Sequence, residues 1–87
     1  MNEFTFSPDV MAEFMDWIKK DKKTANKIYT LMEDIRRNGA MQGIGKPESL
    51  KHRLGYSRRI DEKNRLVYDI DEVQNIKIIS CTGHYDD

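Results

Sequence analysis

The sequence contains few of the residues that form disulfides or span a membrane. Its 87 residues include one cysteine, Cys81, so no disulfide can form within the chain. Hydrophobic residues make up 38% of the sequence and charged residues 34%, without a long apolar run, which argues against a membrane span. No basic stretch followed by an apolar one opens the chain, so we expect a cytoplasmic protein. This length predicts one domain over residues 1–87.

A net charge is absent too, yet the charges are unevenly placed. Fifteen basic residues balance fifteen acidic ones over the whole chain. Residues 46–65, here called the basic segment, contain seven basic and three acidic residues and carry a net charge of +4, while residues 66–87 carry −4. Overall neutrality disfavours strong nonspecific binding of nucleic acid. The basic segment nevertheless predicts a local surface suited to a partner that bears phosphates.

The apolar pattern predicts a strand, two helices and then three more strands. Phe4 and Phe6 alternate with polar neighbours, as in a half-buried strand, and Ser7 before a proline is typical of a helix start. Asp21 predicts the cap of a second helix, and Gly39 predicts its end. The predicted elements are a short strand in the opening segment 2–6, helices at 8–19 and 22–38, and strands at 57–61, 65–71 and 76–82.

This order predicts an α+β fold, β-α-α-β-β-β, in which a helical hairpin covers one side of a small, mainly antiparallel sheet. Residues 39–48 contain three glycines and a proline without an apolar period, so they are predicted to form a loop. In the strand at 65–71, Leu66 is expected to face the helices. Arg65 and Val67 are therefore expected on the other, partly exposed face.

Three polar residues supply the groups for metal-free cleavage of RNA by its own 2′-hydroxyl. Glu48 offers a base, Arg65 a clamp for phosphate and His84 an acid, provided that the fold brings them together. Tyr85 is suited to stack on a nucleotide base. No cofactor is expected. No metal is expected either, because Cys81 and His84 lie three residues apart on a strand, which directs them to opposite faces, and no second ligand pair exists.

Each of these residues also has an ordinary structural interpretation. Glu48 fits a solvated salt-bridge partner, Arg65 a cross-strand partner for an acid, and His84 an exposed imidazole near the chain end. Four cations of the basic segment fit a solvated face as well as an RNA-binding surface, although the surplus charge favours RNA. They are Lys46, Lys51, Arg58 and Arg59.

Four motifs bear on this choice: Gly-Lys-Pro-Glu-Ser-Leu-Lys at 45–51, Ser-Arg-Arg-Ile at 57–60, Arg-Leu-Val-Tyr at 65–68 and His-Tyr at 84–85. Together and in this order they resemble the YoeB/Txe family of RelE-superfamily toxins, over the whole chain. The resemblance implies a RelE-like fold and a ribosome-dependent endonuclease for messenger RNA. It places functional positions at Glu48, Arg65, His84 and Tyr85. It also implies a cognate antitoxin of the YefM/Axe type and favours a homodimer, with operator DNA contacted only through the antitoxin.

We therefore predict an endoribonuclease that inhibits translation by cleaving messenger RNA in the ribosome. Glu48 would deprotonate the attacking 2′-hydroxyl, Arg65 would stabilise the phosphorane and His84 would protonate the 5′-oxygen. Phosphate binding would be assisted by Lys46, Lys51 and Arg59. Two alternatives stay open. A noncatalytic ParE-like toxin would lack convergence of the three catalytic residues on a cleft, and a plain interaction module would tolerate substitution at all three.

Overall fold

The computed structural model describes residues 3–83, which form a helical hairpin packed on one face of a five-stranded sheet. In chain order the elements are β1 (Phe4–Phe6), α1 (Pro8–Lys20), α2 (Lys22–Asn38), β2 (Glu48–Ser49), β3 (Tyr56–Arg59), β4 (Arg65–Ile70) and β5 (Ile76–Ser80). Within this part of the chain, no helix is both long enough and apolar enough to cross a membrane.

Both helices begin and end at residues that favour such boundaries. The Ser7 hydroxyl caps α1 by accepting a hydrogen bond from a first-turn amide at 3.3 Å. Asp21 caps α2, and hydrogen bonds from the hydroxyl and the amide of Thr24 lower the pKa of Asp21. Gly39 ends α2 with a φ of 92°, a backbone angle that favours glycine. The second helix thus has its predicted bounds, and the first is one residue longer than predicted.

The strands lie in the order β1-β5-β4-β3-β2 across the sheet. β1 runs parallel to β5, and the other three pairs of neighbouring strands are antiparallel. The three strands predicted after the loop correspond to β3, β4 and β5, which pair in sequence order as a meander. The α+β class and the mainly antiparallel sheet are therefore confirmed.

Two features depart from the prediction. The sequence does not predict β2, because Glu48 ends the predicted loop and Ser49 after it is also polar, which leaves no apolar alternation. β2 forms by pairing Glu48 with Ser57 at the edge of the sheet. Val67, expected on a partly exposed face, is fully buried between Ser57 and Ser80 of the two adjacent strands. A central strand flanked on both sides leaves little of a small side chain accessible.

The hydrophobic core lies between α2 and the sheet. Its buried members include Ile28, Leu31, Met32 and Ile35 from α2, and Leu66, Tyr68, Ile76 and Ile78 from the sheet. Burying each such side chain stabilises the fold by roughly 1.5–3 kcal/mol before entropy is counted. Cys81 is fully buried in the same cluster.

Candidate active site

Strands β2, β3 and β4 place polar side chains on the sheet face that points away from the helices. In the antiparallel ladders Glu48 lies opposite Ser57, and Arg59 lies opposite Arg65. Residues that pair across strands, or alternate along one strand, share a face. Two consecutive ladders therefore bring a carboxylate, a hydroxyl and two guanidinium groups onto one surface, here called the polar face.

The Glu48 carboxylate contacts the Arg65 guanidinium on this polar face. Nη2 of Arg65 donates to Oε2 of Glu48 at 2.8 Å, and Nε of Arg65 donates to Oγ of Ser57 at 3.1 Å. The Glu48 side chain is 64% exposed, whereas that of Arg65 is 19% exposed. So accessible an ion pair contributes little stability. Its main consequence is geometric, since a fixed guanidinium lies beside a carboxylate that a ligand can reach.

Arg59 adds a second guanidinium opposite Arg65. Like charges that face each other across two strands are unfavourable, and Glu48 contacts Arg65. The polar face therefore attracts a further anion such as a phosphate. Lys46 and Lys51 are exposed on the segments that enter and leave β2. The structure thus places Glu48, Arg59 and Arg65 on one face of the sheet, with the two exposed lysines on the chain just before and just after β2.

This arrangement supports proton transfer and anion binding. An accessible carboxylate can accept a proton, and the guanidinium beside it can donate hydrogen bonds to a phosphate oxygen. Across residues 3–83, no group of three His, Cys, Asp or Glu side chains is arranged to hold a metal ion. The polar face thus offers a base and cationic hydrogen-bond donors from its own side chains.

Arg58 does not belong to this surface, and its predicted contact with RNA is wrong. Its side chain is fully buried on the helix side of the sheet, where it forms an ion pair with Asp34. Arg58 lies opposite Leu66 in the β3–β4 ladder, so the pleat directs it into the core. Partial burial acts to raise the pKa of Asp34, but hydrogen bonds from the Arg58 guanidinium and the Ile44 amide outweigh it and hold that pKa below its usual range.

The predicted residues His84 and Tyr85 lie outside the residues that the structure describes. The last described residue, Gly83, lies beside Arg65, where it makes two hydrogen bonds. Its amide donates to Oδ1 of Asn64 at 2.8 Å, and its carbonyl accepts from the Arg65 amide at 3.1 Å.

Sequence reasoning missed Asn64, which links the β3–β4 turn to the end of the described chain. Its side-chain amide donates to Asp61 at 3.0 and 3.1 Å while its Oδ1 accepts from Gly83. Desolvation acts to raise the pKa of Asp61, but hydrogen bonds from the Asn64 side chain and from two turn amides hold it below its usual range. The available signal was an Asp at the start of a polar turn, where its carboxylate commonly accepts from amides two and three residues on.

A family model described as "YoeB-like toxin of bacterial type II toxin-antitoxin system" matches residues 6–85. The chain is 46% identical over 87 residues to "Toxin YoeB" of Mycobacterium bovis, covering 98% of this chain and 100% of that protein. It is 39% identical over 82 residues to "Toxin YoeB" of Escherichia coli K12, covering 92% of this chain and 95% of that protein. The family match therefore includes both helices and the strands that carry the polar face.

Solved structures give the same result. The chain superimposes on YoeB of the Staphylococcus aureus YoeB-YefM complex with a TM-score of 0.88 at 45% identity, covering 98% of this chain and 99% of that one. For the S. aureus YoeB dimer the TM-score is 0.89 at 46% identity, covering 97% and 98%. The E. coli DinJ-YafQ complex matches with a TM-score of 0.77 at 15% identity, covering 97% and 94%, which shows a shared fold.

Proposed function

This chain belongs to the YoeB family of toxins from bacterial type II toxin-antitoxin systems, and we propose that it is an endoribonuclease that cleaves messenger RNA on the ribosome. Membership confirms the resemblance that four sequence motifs predict. The observation that carries the proposal is the contact between Glu48 and Arg65 on an accessible face, with Arg65 held by Ser57. A base and a phosphate-binding cation lie side by side, so one could reach a 2′-hydroxyl while the other contacts the adjacent phosphate.

The proposed reaction uses the 2′-hydroxyl of the substrate as nucleophile. Glu48 takes the proton of that hydroxyl, and the 2′-oxygen forms a bond to phosphorus. Arg65 donates hydrogen bonds to the non-bridging oxygens, where negative charge grows in the phosphorane. The bond from phosphorus to the 5′-oxygen then breaks, and His84 donates a proton to that oxygen. The products are a 2′,3′-cyclic phosphate on the upstream fragment and a 5′-hydroxyl on the downstream one.

Cations around the polar face are proposed to hold the RNA backbone. Lys46, Lys51 and Arg59 are all exposed, and Arg59 lies opposite Arg65, so phosphates on both sides of the scissile bond find positive charge. Tyr85 is proposed to stack on a base next to the cleavage site. Because the phosphate contacts do not depend on the base, any sequence preference of cleavage would come from base stacking and from the ribosome.

We further propose a YefM-type antitoxin as partner, a homodimer as assembly and the cytoplasm as compartment. The S. aureus relative is found both as a YoeB-YefM complex and as a YoeB dimer. The exposed cations of the basic segment suit an acidic peptide that covers the polar face. Arg58 is not part of that docking surface, since it is buried and paired with Asp34. Operator DNA would be contacted through the antitoxin alone.

Cleavage by programmed ribosomes tests the reaction. A single 2′-deoxy substitution 5′ to the scissile phosphate should abolish cleavage and leave binding nearly unchanged, because it removes the nucleophile alone. The upstream fragment should end in a cyclic phosphate or a 3′-phosphate. Glu48→Gln should lose activity, while Glu62→Gln, an exposed carboxylate in the neighbouring β3–β4 turn, should keep it.

A second substrate separates the acid from the base. Sulfur in place of the bridging 5′-oxygen gives a leaving group whose conjugate acid has a pKa of about 8.5, so it departs without protonation. His84→Gln should recover most of its rate on this substrate, and Glu48→Gln should not. A 3′-hydroxyl product would refute the mechanism. Arrested translation with intact messenger RNA would instead identify a noncatalytic binding toxin.

A further inference from the structure

The Arg58 guanidinium is fully buried with all of its donor hydrogens in use. A guanidinium carries five N–H groups. Nε donates to the Tyr68 hydroxyl at 3.0 Å, and Nη1 donates to the Asp34 carboxylate. The other three bonds end on backbone carbonyls, those of Ile44 at 2.9 Å, Gly39 at 2.8 Å and Gln42 at 2.6 Å.

These three carbonyls belong to residues 39–44, which have no regular secondary structure. The same segment is held at two more points. The Ile44 amide donates to Asp34 at 3.0 Å, and the Tyr68 hydroxyl donates to the Ala40 carbonyl at 2.6 Å. Asp34 and Arg58 thus fix both the amide and the carbonyl of Ile44. An irregular segment that would otherwise be mobile is wrapped around one buried cation.

The fixed segment leads directly into the strand that carries Glu48. The Gly45 carbonyl accepts from the Arg59 amide at 2.7 Å, and three residues later Glu48 pairs with Ser57. Arg58 lies between the two β3 residues that make these contacts. The Arg58 side chain therefore holds residues 39–44 on the helix side of the sheet. The backbone of its two neighbours, Ser57 and Arg59, holds β2 and Gly45.

From this we infer that Arg58, charge-paired with Asp34, is a positioning residue that sets the place of Glu48 relative to Arg65, an inference that rests on the proposed function. A buried ion pair is a poor device for stability alone, because well-packed apolar side chains of similar volume often stabilise as much. What apolar side chains cannot do is orient three carbonyls at once. The base has to lie within hydrogen-bond reach of a 2′-hydroxyl, and small displacements at that point reduce rates steeply.

The test substitutes Arg58 by Lys and, as a second variant in case the first fails to fold, Asp34 by Asn. Lysine keeps a positive charge near Asp34, but one ammonium group cannot span the carbonyls that the planar guanidinium reaches. Arg36→Lys is the matched control, since Arg36 pairs with Glu33 on the same helix at 2.7 Å on the surface. All variants are assayed well below their melting temperatures.

Hydrogen exchange of single amides gives the first readout. The Arg59 amide bonded to Gly45 and the Leu50 amide bonded to Gly55 report on the segments that flank Glu48. Both should exchange about tenfold faster or more in Arg58→Lys and Asp34→Asn, whereas the Ile76 amide, bonded to Glu3 at the opposite edge, should not. Equal acceleration at Ile76 would reduce Arg58 to a general stabilising role and overturn the inference.

A double-mutant cycle gives the second readout. In the wild-type background Arg58→Lys should lower the single-turnover cleavage rate about tenfold or more, with RNA affinity nearly unchanged. In a Glu48→Gln background the same change should cost little, because the base through which Arg58 acts is already gone. An equal penalty in both backgrounds would overturn the positioning role. Full activity of Glu48→Gln by itself would instead refute the proposed function.

Discussion

Arg58 and Arg59 are identical neighbours on β3 with opposite environments. The pleat of a strand directs consecutive side chains to opposite faces, so Arg59 is exposed on the polar face and Arg58 is fully buried. The buried Ile60 shares the inward direction of Arg58, two positions away. That alternation was a readable signal, yet charge runs are usually solvated, and the carboxylate that makes burial tolerable lies on a distant helix. The residue type alone could not reveal that Arg58 is buried.

Burial lowers the reactivity of the Cys81 thiol, which gives a testable prediction. Burial raises the pKa of the Cys81 thiol to about 12, and the nearby Glu13 carboxylate acts in the same direction. Because the thiolate is the reactive form, Cys81 in the folded protein should resist iodoacetamide at pH 8 for hours. Mass spectrometry should show one alkylated thiol only after denaturation. A Leu54→Cys variant with Cys81→Ala supplies the control, since Leu54 is 88% exposed and should react at once. Rapid labelling of native Cys81 would contradict its burial.

Elements with a strong apolar period could be predicted, and those made by tertiary pairing could not. α2 has its predicted bounds, and β3 to β5 lie within about one to two residues of prediction, the usual boundary uncertainty. β2 has two residues and exists because β3 pairs with it. The contact between Glu48 and Arg65 depends on that pairing, so the sequence indicated the two residues through motifs and not through geometry. The predictions for His84 and Tyr85 stay untested, since both lie outside the described residues.

The turn into β2 depends on a glycine, which gives a prediction for this element. Gly45 has a φ of 82°, and a Cβ there would lie 2.8 Å from Cδ2 of Leu31 and 3.2 Å from Cβ of Arg58. Gly45→Ala should therefore lower the free energy of unfolding by about 2–3 kcal/mol, from backbone strain and overpacking together. Gly39→Ala is the matched control, because Gly39 has a φ of 92° and an added methyl group would meet nothing within 4 Å, so it should cost the backbone strain alone, about 1–2 kcal/mol. Urea unfolding measures both. Equal losses would show that the close packing at Gly45 is unimportant.

At the scale of the whole molecule, the fold buries one cation of the basic segment, Arg58, and leaves others exposed. Seven basic residues give residues 46–65 their surplus, but Arg58 is neutralised inside the core by Asp34. The outward surplus is therefore smaller than the sequence suggests, and within it Arg65 contacts Glu48 directly. The ion pair between Arg58 and Asp34 connects the helical hairpin to the sheet. Protonation of Asp34 at low pH should therefore weaken the contact between these two layers.

The stability of the whole molecule should therefore depend on pH through Asp34. Partial burial opposes ionisation, but hydrogen bonds from Arg58 and the Ile44 amide prevail and hold the pKa of folded Asp34 below its ordinary value. A carboxyl with a lowered folded pKa stabilises the folded protein fully above its unfolded pKa, about 3.9, and loses this contribution as the pH falls through the folded value.

Asp34→Asn should lower the free energy of unfolding by about 3 kcal/mol at pH 7, since it leaves a buried cation without its counter-charge. That deficit should shrink steadily below about pH 4, where the Asp34 carboxyl becomes neutral first in the unfolded chain and, at lower pH, in the folded protein. Urea unfolding at pH 7, 5, 4 and 3 measures it, with Glu33→Gln as the control for an exposed pair on the same helix, where the effect should be smaller. A deficit that stays constant down to pH 3 would mean that Asp34 acts through packing and not through its charge.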